Sequence, residues 1–206
     1  MRIAIACTLV LIAVLGSKPG SVLARGLELD LDIVRASPAN HFFFDAGPGL
    51  IGSVLVGDGP FLKGLRMGFH VHESFYEDPH RQENYHLLVV PIQALVRGRS
   101  SPRSKLRFEG EAGLGLTFTE LDIDSMSFPP EGGVFRTQDS DSWTKVSLLF
   151  GVGLAFDISP SVALRLGLKF QKAVLVGCDE FDDFCQDTNP DFFLLGAGTA
   201  FRLVKR

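Results

Sequence analysis

The stretch Ser161-Val-Ala-Leu-Arg-Leu-Gly-Leu-Lys-Phe-Gln171 sorts its side chains with a period of two. Val162, Leu164, Leu166, Leu168 and Phe170 fall on one face, and Ala163, Arg165, Gly167, Lys169 and Gln171 on the other. Successive side chains of a strand point to opposite faces, so this is a β-strand with one apolar face and one charged or small face. A helix would scatter the same charges all round.

The pattern continues outward in both directions. Upstream, Val146, Leu148, Phe150, Val152, Leu154, Phe156 and Ile158 alternate with Ser147, Leu149, Gly151, Gly153, Ala155 and Asp157. Lys105, Arg107, Glu109, Glu111, Gly113, Gly115 and Thr117 alternate with an apolar set from Leu106 to Phe118. Downstream, Phe193, Leu195, Ala197, Thr199, Phe201 and Leu203 alternate with Gly196, Gly198, Ala200 and Arg202. Four noisier runs precede these: Leu27–Ile33, about 41–56, about 62–76 and about 84–99, where Pro91 marks a candidate bulge. That gives eight candidate strands. Most are long enough for the ~9–11 residues a membrane-crossing strand needs.

The intervening segments predict the topology. Gly57–Phe61, Ser100–Arg103 and Ser159–Pro160 are short, while Glu77–Glu83, Asp122–Ser140 and Gly177–Pro190 are longer. Short inner turns alternating with longer outer loops suit an outer-membrane barrel with both ends on the periplasmic side. Phe42–Phe44, Phe75, Tyr76, Tyr85, Phe118, Trp143 and Phe192–Phe193 would then form the outer aromatic girdle, and Phe61, Phe108, Phe156 and Phe201 the inner one.

The N-terminus bears on compartment. Met1-Arg2 is followed by an apolar run, Ile3–Leu15, then small residues up to Val22-Leu23-Ala24, the three-part layout of a secretory signal peptide cleaved after Ala24. Residues 1–24 are therefore expected to be removed, and residues 25–206 to form one barrel domain. The mature chain keeps all 24 acidic residues and loses Arg2 and Lys18, so its formal charge moves from −4 to about −6. That balance argues against nucleic acid as a partner, which needs clustered basic surface. Loss of Cys7 leaves Cys178 and Cys185, a pair suited to a disulfide in an oxidising envelope. Mean hydropathy is positive, yet no mature segment approaches ~18 consecutive apolar residues.

A sheet can cross lipid only if it closes on itself, because every backbone polar group must find an internal partner. The expected fold is thus an all-β, closed, up-and-down antiparallel transmembrane barrel of eight strands. Its inward set would include Glu28, Asp30, Asp32, Asp45, Lys105 and Lys145, and a lumen charge network of Arg66, Arg97, Arg107, Glu109, Glu111, Asp157, Arg165, Lys169 and Arg202. Glycines at 113, 115, 151, 153, 167, 196 and 198 would make room for it.

Phe150-Gly-Val-Gly-Leu-Ala-Phe-Asp-Ile-Ser-Pro-Ser-Val-Ala-Leu-Arg-Leu-Gly-Leu-Lys-Phe170 resembles the late hairpin of the small bacterial outer-membrane β-barrel, porin-like proteins, and Glu111-Ala-Gly-Leu-Gly-Leu116 resembles their preceding strand. Gly198-Thr-Ala-Phe201-Arg-Leu203 is similar to the signal read by the barrel-assembly machinery, although Val204-Lys205-Arg206 follow where such chains often end. The resemblance implies export to the outer membrane, with outer-membrane lipid and that machinery as partners. It covers roughly residues 105–203.

Other chemistry is thinner. His70-Val71-His72 puts two imidazoles on one strand face, a start toward a metal site for which His80, Glu83 and His86 are the nearest candidates. His72-Glu73-Ser74 resembles the His-x-Ser of outer-membrane lipid A deacylases, but Phe75 stands where those enzymes have Asn. The segment 177–190 carries Asp179, Glu180, Asp182, Asp183 and Asp187 without the spacing of a calcium hand. No cofactor motif is present, and the composition and motifs favour a non-enzymatic protein. The expected role is structural or surface contact over a charged, largely plugged lumen. The alternative is a narrow channel for small solutes, ahead of a lipid-modifying enzyme or a secreted ligand-binding barrel.

Overall fold

The computed structural model describes residues 26–39, 44–57, 59–100, 105–129, 132–174 and 191–203. Residues 1–24 lie outside that set, as do Cys178 and Cys185. The strands are β1 (Leu27–Pro38), β2 (Gly47–Val56), β3 (Phe61–Asp78), β4 (Arg81–Arg99), β5 (Leu106–Ser127), β6 (Phe135–Ser159), β7 (Val162–Val174) and β8 (Phe192–Leu203). Each pairs antiparallel with the next, and β8 returns to β1 from Leu27↔Leu203 to Pro38↔Phe192, closing the ring. Closure leaves no sheet edge within the barrel wall.

Alternation sets the faces. On β5, Leu106, Phe108, Leu114 and Leu116 are exposed on the outside, while Arg107, Glu109, Glu111 and Thr117 are buried inside. From Leu106 to Phe118 this strand covers roughly 40 Å at ~3.3 Å per residue, which a tilt of ~40° turns into roughly 30 Å, the depth of a bilayer's hydrocarbon core. Arg35, Glu73, His86, Glu120 and Lys172 are polar residues on the outside where the apolar belt ends.

Three expectations are corrected. The segments Glu77–Glu83 and Asp122–Ser140 are mostly strand: β3 and β4 pair out to Asp78↔Arg81, and β5 and β6 out to Ser127↔Phe135. The β5–β6 turn contains Gly132 and Gly133 at φ of 90° and 110°, a conformation that favours glycine. Pro91 makes no bulge, because Met67↔Ile92 and His70↔Val89 keep the same register on either side of it. The register shift falls between Asp157 and Ser159, beside the tight turn at 160–161. Finally, Asp45 and Lys105 are exposed rather than inward, since both sit just beyond strand ends, where alternation no longer dictates direction.

Candidate functional site

The barrel interior has two storeys. The inner one, toward the chain termini, holds the charges. Arg97 on β4 lies 2.6 Å from Asp30, 3.2 Å from Glu28 and 3.1 Å from Glu111. Arg165 on β7 reaches Asp30 and Glu109, each at 2.9 Å. Lys169 bridges Asp32 and Glu111, also at 2.9 Å each. Nearer the inner rim, Arg107 and Arg202 share Asp157 Oδ1 at 2.8 Å, and Arg202 Nε donates to Glu28 at 2.9 Å. Gly151 makes room for one such pair, because a Cβ there would lie 2.9 Å from Glu111 Cγ and 3.0 Å from Lys169 Cγ.

The structure thus brings Arg97, Arg107, Glu109, Glu111, Asp157, Arg165, Lys169 and Arg202 into one connected set with Glu28, Asp30 and Asp32. Arg99, unnoticed in the sequence, joins at 2.9 Å from Glu28; it shares the parity of Arg97, a signal that could have found it. Arg66 stands at the network's edge. It is fully buried with 3.6 Å to Glu111, and its guanidinium nitrogens have no hydrogen-bond partner among the described residues. Buried charges of both signs in contact offset much of one another's desolvation.

The outer storey is apolar. Val34, Ala36, Phe44, Ile51, Leu87, Val89, Leu121, Phe192 and Leu194 form one buried cluster, with Tyr85, Ile123 and Trp143 packed against it. This corrects the outer aromatic girdle: Phe44, Tyr85, Trp143 and Phe192 belong to the interior cluster, while Phe75 and Phe193 remain exposed outside. Phe192 stacks on His72 with ring centroids 4.7 Å apart and meets His70 edge-on at 4.5 Å.

Those two histidines are bonded to each other rather than poised for a metal. His72 Nδ1 donates to the Asp45 carbonyl at 2.9 Å, which leaves its Nε2 as acceptor for the His70 Nδ1–H at 2.7 Å. Both ring nitrogens of His72 are therefore engaged. Among the described residues no group of three His, Cys, Asp or Glu side chains is arranged to hold a metal.

Above the belt, β3–β6 continue as a sheet beyond the barrel ring, with β5 running roughly 20 Å past Glu120 at ~3.3 Å per residue. On the inward-facing side of this sheet Arg81 pairs with Glu83, and the Tyr85 hydroxyl donates to the same carboxylate. Burial first, then the Glu83 hydrogen bond and charge, push the Tyr85 phenol up to about 12. Its neutral form is favoured by the folded state, so this contribution to stability is full below the unfolded value of ~10 and is lost as pH rises through about 12. Alkaline titration of tyrosinate absorbance is expected to show a late phase that disappears in Tyr85→Phe. A Tyr85 that ionises near 10 would contradict this environment.

The two edges of the projecting sheet differ. β3 pairs with β2 as far as His70, and beyond that the Glu73 carbonyl accepts the Asp45 N–H at 3.0 Å. β6 pairs with β7 only from Val146, and among the described residues Phe135–Thr144 pair with β5 alone. Residues 135–142 are exposed throughout.

No protein-family model and no curated protein matches the sequence. Among solved structures, a major outer membrane protein from Thermus thermophilus aligns over 87% of this chain and 99% of its own, at 14% identity and a TM-score of 0.56. The outer membrane protein OprG from Pseudomonas aeruginosa aligns over 88% of this chain and 97% of its own, at 10% identity and a TM-score of 0.52. At such low identity the likeness is one of architecture, and it agrees with the ring of antiparallel strands and the apolar belt: the chain has the fold of the small eight-stranded bacterial outer-membrane β-barrels.

Proposed function

We propose that this chain is an integral outer-membrane barrel, exported through residues 1–24, whose lumen is closed and whose work is contact at the cell surface. The observation that carries the reading is the β6 segment Phe135–Ser142, exposed throughout and, among the described residues, paired with β5 alone, held outside the membrane belt on a sheet rooted in the barrel wall. A strand edge presents a row of N–H and C=O groups to which an extended polypeptide can add as a further strand. Soluble proteins blunt such edges with lysine, proline or a covering element. This edge, Phe-Arg-Thr-Gln-Asp-Ser-Asp-Ser-Trp-Thr, contains neither lysine nor proline. The partner class is thus an extended segment of another protein, recognised through its backbone.

The two storeys support a closed lumen. An ion entering from outside would meet Phe192, Leu87 and Leu121, and one entering from inside would meet paired charges. Both barriers favour a closed lumen over an open pore.

The test displays the barrel in vesicles and offers a library of ten-residue β-forming peptides. Bound peptides are expected to lose affinity when alternate amides are N-methylated. Single prolines placed from Thr137 to Ser142 are expected to abolish binding at alternate positions, those whose N–H points away from β5. Steady unitary conductance in planar bilayers without peptide binding would replace this reading with a channel.

A further inference from the structure

On the outside of the barrel two adjacent rows of side chains run in register across the wall. One is Phe61, Gly98, Gly110, Val152, Leu168 and Leu195; the other is Lys63, Val96, Ala112, Phe150, Phe170 and Phe193. Between them lies a furrow of about 600 Å³, lined almost wholly by these apolar residues and floored by the backbone at Glu111, Gly151 and Lys169. Gly98, Gly110 and Ala112 deepen it, and a Cβ at Gly110 would meet no heavy atom within 4 Å. The rows cross from β3 to β8, roughly 24 Å at ~4.8 Å per strand, about the length of one extended fatty acyl chain.

The furrow is directional. At β3 the second row begins on Lys63, an exposed cation at the inner rim, paired with Val56 at the end of β2. At β8 the furrow ends against Phe170 and Phe193, whose rings lie 5.1 Å apart. The exposed Arg35 is register partner to Leu195 at the outer rim, but Leu195 is not part of the lining. Lys63 is one register step from Val96, which lines the furrow, whereas Arg35 is two steps from Leu168, so of the two cations Lys63 is the nearer. A lysine there can bury its methylenes along the apolar wall and hold its ammonium at headgroup level.

We propose that this furrow is a lipid-binding site for one acyl chain of an anionic glycerophospholipid of the periplasm-facing leaflet, with the phosphate at Lys63. The inference rests on the membrane-spanning reading above. A basic residue at the headgroup plane selects anionic lipid, and the small residues beside it give the chain a seat.

The test reconstitutes the barrel into vesicles of phosphatidylglycerol or phosphatidylcholine and confirms insertion by the gel shift between unheated and boiled samples. Lipid retained after mild extraction is then counted by native mass spectrometry. The wild-type barrel is expected to retain one phosphatidylglycerol in preference to phosphatidylcholine. Gly110→Phe, which has open space to occupy, should cut retention about tenfold, as expected for losing the burial of a few methylenes. Lys63→Gln should keep retention but lose the preference between headgroups. Failure of the wild type to insert would overturn the membrane reading itself. An inserted barrel with equal retention in wild type and Gly110→Phe would overturn only the site, and headgroup preference surviving in Lys63→Gln would overturn the role of that residue. A doubled protein mass that Gly110→Phe abolishes would assign the furrow to a second copy of this chain instead.

Discussion

Arg97→Met is expected to destabilise the barrel by about 3–5 kcal/mol, the usual cost of removing one partner from a buried ion pair. Adding Asp30→Leu should restore most of that loss. In the wild type Arg97 contacts Asp30, Glu28 and Glu111 from the centre of the inner storey. Its removal alone leaves Asp30 with Arg165 as its single cation among the described residues. In the double variant every remaining charge keeps a neighbour. Glu28 retains Arg99 and Arg202, Glu111 retains Lys169, and Arg165 retains Glu109 and Asp32. Urea unfolding in lipid vesicles, followed by the loss of the unheated gel band, measures both variants. A double variant no better than Arg97→Met would mean that packing, not charge, accounts for the loss. A near-neutral Arg97→Met would mean that the storey is hydrated enough to screen its charges.

Much of this storey is legible in the sequence because the lumen charges lie on alternate positions of long runs. Arg165 and Lys169 share one parity on β7, and Arg107, Glu109 and Glu111 share one on β5, so a period of two assigns their face. The outer storey is obscured when aromatics near strand ends are read as a girdle without regard to parity. Phe193 is in phase with Leu195, Ala197 and Phe201, all outside, which leaves Phe192 in phase with Leu194 inside. Trp143 is likewise in phase with Lys145 and Ser147, both buried. Parity alone would have placed both aromatics.

The projecting hairpin is a different case. Leu121 and Ile123 still alternate with Asp122 and Asp124, so the outward run of β5 could have been read. Phe135–Ser142 could not, because both faces of that strand meet water and no apolar pattern marks either. Pairing with β5 across the hairpin makes it a strand. Which residues lie opposite one another is likewise invisible in a single sequence. The contacts of Arg97 with Asp30, and the two rows that define the outer furrow, both needed the register.

Phe192 and Phe193 supply the sharpest test of the two faces, since they are adjacent in sequence and identical in chemistry. Phe192 is 1% exposed and wedged against both histidines, whereas Phe193 is 47% exposed on the outer face. Phe192→Ala is expected to cost about 3–5 kcal/mol, because a truncated core aromatic leaves a cavity that a stiff barrel wall cannot collapse to fill. Phe193→Ala should cost about 1 kcal/mol or less, since lipid chains can move into the vacated space. Trp143, the single tryptophan of the chain, packs against the same cluster as Phe192 and reports on it directly. Its emission should shift to the red in Phe192→Ala as water reaches the outer storey, and stay unchanged in Phe193→Ala. Neither variant should conduct, because the ion pairs below remain in place. Equal costs for the two phenylalanines would mean that the outer storey is not a packed core. Conductance from Phe192→Ala alone would show that the apolar storey is the only barrier, and that the charged one beneath it is already permeable.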